Sequence, residues 1–503
     1  MYLTFDVGTT SVKTALYDAE GRLRHKVIKD YQLDSPAVGW YEVNPEIYWK
    51  SVVEGFQEIL SQSGTAASDI KTIAGCSQGE TVIFLDQQDH PTRPAMVWLD
   101  GRAQKEAEQF SAMVDVEEFF SVTGIPEIEP TWSACKMLWV KQNQPDVFRQ
   151  TAKFMLVEDY IVYKLTGKFV SSASLLSTSA LVDIHKNIYW RKTVDFLGVE
   201  SCLPTIIAEG SFVGEIQPSV AVDIGLKSGI LVFKGSMDQT MSAVGAGNIV
   251  PGVITETTGT ALVIGVTART VDFRGTVKLA YQPHVIPATY LILPFARTAG
   301  IVYKWFRDQF AREEIQQIGD LELAYEALNQ LAATIPAGAD GIVCLPFLAG
   351  GAPPPDNNSY AKGIIYGLTL KHGKAHIARA IMESIGYLLK SILTHVEQAG
   401  IAIQEVRSMG GGARSDLWLQ IKADICNYPI VRMQEEETST LGAAILSAVK
   451  VGDYATIEDA VQAMVKPGKR FLPNPEQTAI YARSYALYRD LCESLMPLFK
   501  KYA

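Results

Sequence analysis

The spacing of apolar residues changes character along this chain and predicts its elements. Residues 2–8 (YLTFDVG) and 11–18 (SVKTALYD) are short apolar runs on either side of a small polar turn, the pattern of two strands in a hairpin. Gly21 and Arg22 mark a second turn with another hairpin strand after it. Residues 46–61 (EIYWKSVVEGFQEILS) bring apolar side chains to helical spacing, and 70–76 (IKTIAGC) and 82–86 (VIFLD) predict short buried strands. From about 100 to 225 the pattern is mostly helical, with a strand-like FVSS at 169–172. Near residue 230 the opening style returns. ILVFKGSMD (230–238) is an apolar strand running into a turn of small residues, and 253–266 (VITETTGTALVIGV) is again strand, Gly/Thr turn, strand. Residues 376–399 form a strongly amphipathic helix, 407–425 (RSMGGGARSDLWLQIKADI) read as strand end, glycine turn and helix start, and a closing helix falls near 475–500. The two similar hairpins predict a duplicated α/β fold with a boundary near 245–252 (GAGNIVPG).

Length and composition narrow this further. A chain of 503 residues is too long for one core, so at least two large domains are expected. A hydrophobic content of 48% is ordinary for a soluble globular protein. The formal net charge of -10 argues against non-specific binding of nucleic acid or anionic membrane. It leaves room for an anionic ligand wherever a site makes its own positive field. Cys76, Cys135, Cys202, Cys344, Cys426 and Cys492 form no CxxC pair and have no His cluster beside them, so reduced thiols are expected. No charged-then-apolar leader opens the sequence, and no apolar run nears the roughly 18–20 residues of a membrane span. A cytoplasmic protein is the expectation.

Candidate chemistry lies in three glycine turns and one acid. A phosphate chain needs donors without bulk, which backbone N–H groups in a Gly turn and Thr or Ser hydroxyls supply. DVGTTSVK offers Gly8, Thr9, Thr10 and Ser11, with Lys13 as a cation. Asp6 would repel phosphate directly but is suited to hold Mg²⁺ through water, because that ion keeps much of its hydration shell. The competing reading is a plain β-turn rich in turn formers. TTGTA at 257–261 and GGG at 410–412 repeat the arrangement, each behind a strand-like run. Turns on opposite halves would pinch a triphosphate, and the third would let a nucleoside approach the backbone.

The ordered blocks DVGTTSVK, WLDGR (98–102), GSMDQTMSAVGAG (235–247), TTGTA, GIIYGLTLKHGKAHIARAIMESIGYLL (363–389) and MGGGARSDLW (409–418) resemble the FGGY carbohydrate kinases over nearly the whole chain. That resemblance implies two actin/hexokinase-like (ribonuclease H-like) α/β ATPase domains with a deep cleft between them. It implies ATP, with Mg²⁺, as phosphoryl donor to a hydroxyl of a small-molecule sugar or polyol. Residues 1–247 would then bind the sugar and carry the first phosphate loop, and 248–503 would bind the nucleotide. Asp238 stands at the family's catalytic base, where a carboxylate accepts the proton of the attacking hydroxyl; otherwise it is a turn residue behind a buried strand. Gly8, Thr9, Thr10, Ser11 and Lys13 match the first phosphate loop, and Gly259 and Thr260 the second. Gly411, Gly412 and Asp416 match the adenosine turn, Asp6 the position near Mg²⁺, and Gly300 and Lys304 positions flanking the nucleotide, unless their helix only packs on the core.

Sugar contacts implied by the resemblance are Gln78, Gly79 and Glu80 in SQGET, Trp98 and Asp100 in WLDGR, and Gln239. Glycerol kinases carry an Arg–Glu pair where Gly79 and Glu80 stand, and xylulokinases a Met–His pair. A second place for sugar contacts is PTWSACK (130–136), where glycerol kinases carry an aromatic residue at the position of Thr131. Glu80 would accept hydrogen bonds from sugar hydroxyls, and Gly79 would leave room. A glycerol-sized ligand would then leave polar groups unpaired at about 1–3 kcal/mol each. A four- to six-carbon ketose, polyol or aldonate is expected, with D-xylulose ahead on WLDGRA and EDYIVYKLTG and gluconate behind on GIVYKWFRDQF and PAGADGIVCLPFLAG. LAGGAPPP (348–355) departs from the family's Gly-Glu-Arg-x-Pro and lacks its ion pair. This keeps a non-catalytic FGGY binding or regulatory protein in view. A chaperone-like ATPase of the same superfamily would need an extra substrate-binding domain and lid, and the pattern here predicts only a closing helix near 475–500, so that reading is not expected. Family members are often dimers, which leaves a homodimer open.

Overall fold

The computed structural model describes residues 1–273, 278–312, 315, 316, 319–348, 350–353, 356 and 358–502. Ala349, Pro354 and Pro355 of the LAGGAPPP loop lie outside the described residues.

The first half is built on a mixed sheet. β1 (Tyr2–Val7), β2 (Ser11–Tyr17) and β3 (Leu23–Asp30) form an antiparallel meander. β1 is buried along its whole length, as a central strand of apolar and β-branched residues requires. β3 alternates half-buried and exposed residues and carries Arg, Lys and Asp on its open edge, which discourages pairing with another chain. After α1 (Pro45–Gln62), capped by the Asn44 side chain accepting from the Glu46 N–H at 3.1 Å, the chain enters β4 (Thr72–Ser77), parallel to β1. Helices α2 (Ser133–Asn143) and α3 (Val157–Thr166) precede β5 (Leu231–Phe233) and the two-residue β6 (Ser236–Met237), both parallel to β4. The middle section is less purely helical than its pattern predicts. Lys153–Met155, Val182–Asp183, Ile188–Tyr189 and Thr205–Ile206 are strands of two or three residues, and Phe212–Glu215 adds an antiparallel edge to the main sheet. Runs this short show no period of their own.

The second half repeats the plan. From α4 (Asp238–Gly245), the last helix of the first half, the chain enters β7 (Val253–Thr258) and β8 (Leu262–Ala268), an antiparallel hairpin extended by β9 (Tyr290–Ile292). α5 (Gly300–Phe310), α6 (Leu321–Ala333) and the long α7 (Lys374–Gln398) follow. β10 (Glu405–Met409) pairs parallel with β7, and after α8 (Asp416–Cys426), β11 (Ile430–Met433) pairs parallel with β10. α9 (Thr438–Lys450) and the closing α10 (Pro475–Lys501) complete the chain. Both sheets therefore share one topology: an antiparallel meander whose first strand gains parallel neighbours on its other side.

The halves meet through α4 and α9, which cross with backbones nearly touching. A Cβ on Gly245 would stand 1.9 Å from the Thr438 carbonyl oxygen, and one on Gly442 would stand 2.1 Å from that of Met241. Glycine is required at both places by close approach alone. α9 also packs on the first sheet, where Leu441, Ala444 and Ile445 join Tyr2, Ala15 and Tyr17 in one apolar cluster. Among the described residues no helix is long and apolar enough to cross a membrane.

Candidate active site

Three neighbouring parallel strands deliver the central residues to one edge. In register across the sheet, Asp6 of β1 faces Cys76 of β4, which faces Ser236 of β6; Val7, Ser77 and Met237 form the next row. The residues that follow are Gly8, Gln78 and Asp238. The Gly8 turn, the Gln78 turn and the candidate base thus leave the sheet side by side at the carboxyl ends of its strands, the place where open α/β sheets bind ligands. Gln78 N–H donates to the Val7 carbonyl at 3.0 Å, so the first two loops are hydrogen-bonded to each other. Trp98 ties them again: its indole Nε1 donates to Thr9 Oγ1 at 2.8 Å. Tyr31 OH donates to the Gly8 carbonyl, and Gln78 Nε2 donates to Tyr48 OH at 3.1 Å. Oε1 of Gln78 is buried without a protein partner.

Carboxyl groups dominate this edge. Asp238 opens α4 and is half-buried, with Oδ1 accepting from the Gln239 N–H at 2.6 Å. Burial, then the negative charges of Asp6 and Glu80, push its carboxyl up to about 8. Burial also raises Asp6, whose Oδ2 accepts from Ser439 Oγ at 2.7 Å while Oδ1 is buried with no partner. An orphaned carboxylate oxygen beside a phosphate-type turn fits a hydrated divalent cation. Among the described residues no group of three or more His, Cys, Asp or Glu could hold a metal, so such an ion would be shared with phosphate oxygens. Lys13 reaches Glu437 Oε2 at 2.9 Å and Lys26 reaches Oε1 at 3.1 Å. Burial works against the Lys13 ammonium, but Asp6 and Glu437 outweigh it and hold its pKa above the usual lysine value. Thr10 is exposed, and Gly8, Thr9 and Ser11 are half-buried at the mouth of the turn.

In the second half a cavity of about 290 Å³ opens between the other two glycine turns. Thr258, Gly259, Thr260, Gly300, Lys304, Gly411 and Gly412 line it, with Tyr303, Tyr325, Asn329 and Trp418 making its apolar and amide wall. Tyr303 stacks on Tyr325 at 5.9 Å between centroids and tilts against Trp418 at 5.4 Å. Two glycines are dictated by contact: a Cβ on Gly300 would sit 2.3 Å from the Gly259 carbonyl oxygen, and one on Gly412 would sit 2.7 Å from Thr258 Cβ. Gly259 and Gly411 face open space on that side. Beneath the turn, fully buried Lys422 donates to Glu256 Oε1 and Thr258 Oγ1, both at 2.8 Å, and Ser408 Oγ donates to Glu256 Oε2 at 2.5 Å. Lys304 lines the cavity and pairs with Asp308 at 2.8 Å.

Three expectations change. Asp100 is fully buried, and its carboxylate is taken by Arg102 Nε at 2.9 and 3.0 Å and by the Tyr41 N–H at 2.8 Å. It braces the Trp98 loop instead of facing a sugar. Asp416 starts α8 but turns outward, ion-paired to Arg432 and Lys469, and does not line the cavity. Gly79 does not open space for a larger ligand: a Cβ there would meet Thr178 Oγ1 at 2.8 Å and Met237 Sδ at 3.2 Å, so other side chains already occupy it. Sequence reasoning gave no role to Lys136, Glu437, Ser439, Lys422 or the Tyr303/Tyr325/Trp418 wall, although Lys136 lies in PTWSACK (130–136) and Trp418 ends MGGGARSDLW (409–418). The helical spacing of Tyr303 within 300–310 serves a core equally well.

A glycine turn beside a row of carboxyls in one half and two glycine turns around an aromatic-walled cavity in the other are the equipment of a phosphoryl-transfer enzyme with two substrates. The chain matches the N-terminal domain of the FGGY family of carbohydrate kinases over residues 1–245 and the C-terminal domain over 253–451, and it belongs to that family. Sugar kinases of the family use ATP, usually with Mg²⁺. The chain is 30% identical over 491 residues to xylulose kinase of Staphylococcus epidermidis, covering 97% of this chain and 96% of that one. Its fold matches a ligand-bound xylulose kinase from Lactobacillus acidophilus (TM-score 0.90, 26% identity, all of both chains). It equally matches a gluconate kinase from the same organism (TM-score 0.90, 25% identity, 100% of this chain and 99% of that one).

Proposed function

We propose that this protein transfers the terminal phosphoryl group of ATP to a hydroxyl of a neutral ketose or polyol, with D-xylulose to D-xylulose 5-phosphate as the leading reaction and Asp238 as general base. The observation that carries it is the placement of Gly8, Gln78 and Asp238 after three adjacent parallel strands, which sets a phosphate turn, a sugar turn and a base within one edge. Residues 1–247 supply the sugar side and 248–503 the nucleotide cavity. Gln78, Glu80, Trp98 and Gln239 face or frame the sugar, and Asp238 accepts the proton of the attacking hydroxyl. Backbone donors of the turns at 8–11 and 258–260, with Lys13, hold the phosphates. Asp6 would hold Mg²⁺ with those phosphates, and the ion supplies neutralising charge there.

Charge separates the two sugar readings. The charges that act most on Asp238 are the carboxyls of Asp6 and Glu80, both negative. Lys136 is fully buried behind Glu80, and Arg102 is held by Asp100 and Glu42. An aldonate would bring another negative charge to this edge, whereas a ketose or polyol brings only hydroxyls. Gluconate remains the second reading because a gluconate kinase shares the fold as closely as a xylulose kinase does. ADP release with a panel of xylulose, other ketoses, polyols, glycerol and gluconate decides it. Turnover fastest on gluconate would overturn the neutral-substrate reading, and no sugar-dependent ADP release at all would leave a non-catalytic binding protein.

A further inference from the structure

Glu80 occupies a backbone conformation that a non-glycine residue seldom adopts, with φ of 52°. The turn is tight: the Thr81 N–H donates back to the Gly79 carbonyl at 2.6 Å. Left alone, such a turn relaxes, and the carboxylate it carries swings with it. Two donors from one face of α2 converge on the Glu80 carbonyl. Ser133 Oγ and Lys136 Nζ each approach it at 3.2 Å, one helical turn apart. Lys136 also donates to the Val97 carbonyl at 2.8 Å, next to Trp98, whose N–H donates to Thr81 Oγ1 at 3.0 Å.

Lys136 is unusual for its site. It is fully buried, yet no carboxylate lies within ion-pair reach among the described residues, and its hydrogen bonds go to two main-chain carbonyls. Burial pushes this amine down to about 7 against the pull of the Glu80 and Asp100 charges, and donors buried so deeply are costly unless they satisfy something equally demanding. Here they join the Glu80 turn to the Trp98 loop, and Trp98 in turn contacts Thr9 of the phosphate turn.

We propose that Lys136 and Ser133 are positioning residues for sugar recognition: gripping the Glu80 carbonyl, they hold its left-handed turn and so aim its carboxylate at the substrate, while Lys136 staples that turn to the Trp98 loop. This rests on the reading of Glu80 as a sugar contact. Neither residue touches substrate; both act through Glu80.

The test is a double-mutant cycle in the full-length protein, read as KM for the sugar found active in the panel, with KM for ATP and thermal unfolding measured alongside. Lys136→Met and Glu80→Ala should each raise the sugar KM about ten-fold or more, with ATP KM within about two-fold of wild type. In the Glu80→Ala background Lys136→Met should add little, because its target is gone. Lys136→Arg, which keeps donors at nearly the same reach, should recover part of the loss. Additive effects, or a loss spread equally over sugar and ATP, would overturn the proposal while leaving Glu80 in the site. An unchanged sugar KM in Glu80→Ala would overturn both. If Lys136→Met does not fold, Ser133→Ala runs the same cycle, with a smaller shift in sugar KM that must likewise vanish in the Glu80→Ala background.

Discussion

Gly259→Ala separates what the protein needs from what its ligand needs. Beyond its two chain neighbours, no protein atom lies within 4 Å of where the new Cβ would stand, and Gly259 is not among the residues with positive φ. Folding should therefore tolerate the methyl group, and the loss of unfolded-state freedom would favour it by about 0.4–1 kcal/mol. The same methyl points into the space where a phosphate would rest on this turn. Losing one charge-assisted hydrogen bond there costs about 1.5–3 kcal/mol, or about 10- to 150-fold in affinity. Gly300→Ala is the contrast. Its Cβ would meet the Gly259 carbonyl at 2.3 Å, below the 3.0 Å that such contacts essentially never break, so the two segments must part by at least a fraction of an ångström. Both melting temperature and ATP affinity should fall in that variant. The assay is ADP-coupled kinetics at saturating sugar, with thermal unfolding in parallel. An unchanged ATP KM in a fully folded Gly259→Ala protein would place the phosphates elsewhere and undo the assignment of this turn.

Other perturbations test the remaining parts. Asp238→Asn should lower kcat by about 10²- to 10⁴-fold without loss of thermal stability, and near-normal turnover would remove Asp238 as the base. With Asp238 raised to about 8 and required in its ionised form, kcat/KM should climb with pH through that region. A limb near an ordinary aspartate value would mean that burial and the neighbouring carboxyls do not act on the base as described. Asp416→Ala should leave the ATP KM within about two-fold, since its carboxylate is spent on Arg432 and Lys469; a ten-fold rise in a folded protein would return it to the nucleotide site.

How much the sequence revealed depends on whether a feature is local. The hairpins around Gly8 and Gly259, the helices at 45–62, 374–398 and 475–501, and the strand before Asp238 each lie within one apolar period, and all are present. The glycine turns also read correctly as turns, because Gly with Thr or Ser is a local signal. Partnerships across the fold left no such mark. Asp100 looks as free in sequence as Asp238, and only the position of Arg102, itself lying over the Trp40 ring at 3.8 Å, shows that it is occupied. Gly79 reads as a gap until Thr178 and Met237, both far along the chain, are seen to fill it.

The boundary near 245–252 shows the same distinction at larger scale. The chain does pass from one sheet to the other there, yet its cores do not divide at that point. α9 belongs to the second half by sequence, but it packs on the first sheet. Its first turn sends Ser439 to Asp6, and Glu437 just before it meets Lys13 and Lys26. Lys13 would leave Glu437 to reach a phosphate, and the partner it abandons lies on the other half of the chain. The Gly8 turn, the proposed first phosphate loop, is therefore tied to the second half through the start of α9. The α4–α9 crossing allows this because Gly245 and Gly442 let two helix backbones pass closer than any side chain would permit. A bulkier residue at either position would push apart the two helices that carry Asp238 and Ser439, and so separate the proposed base from the hydroxyl that holds Asp6.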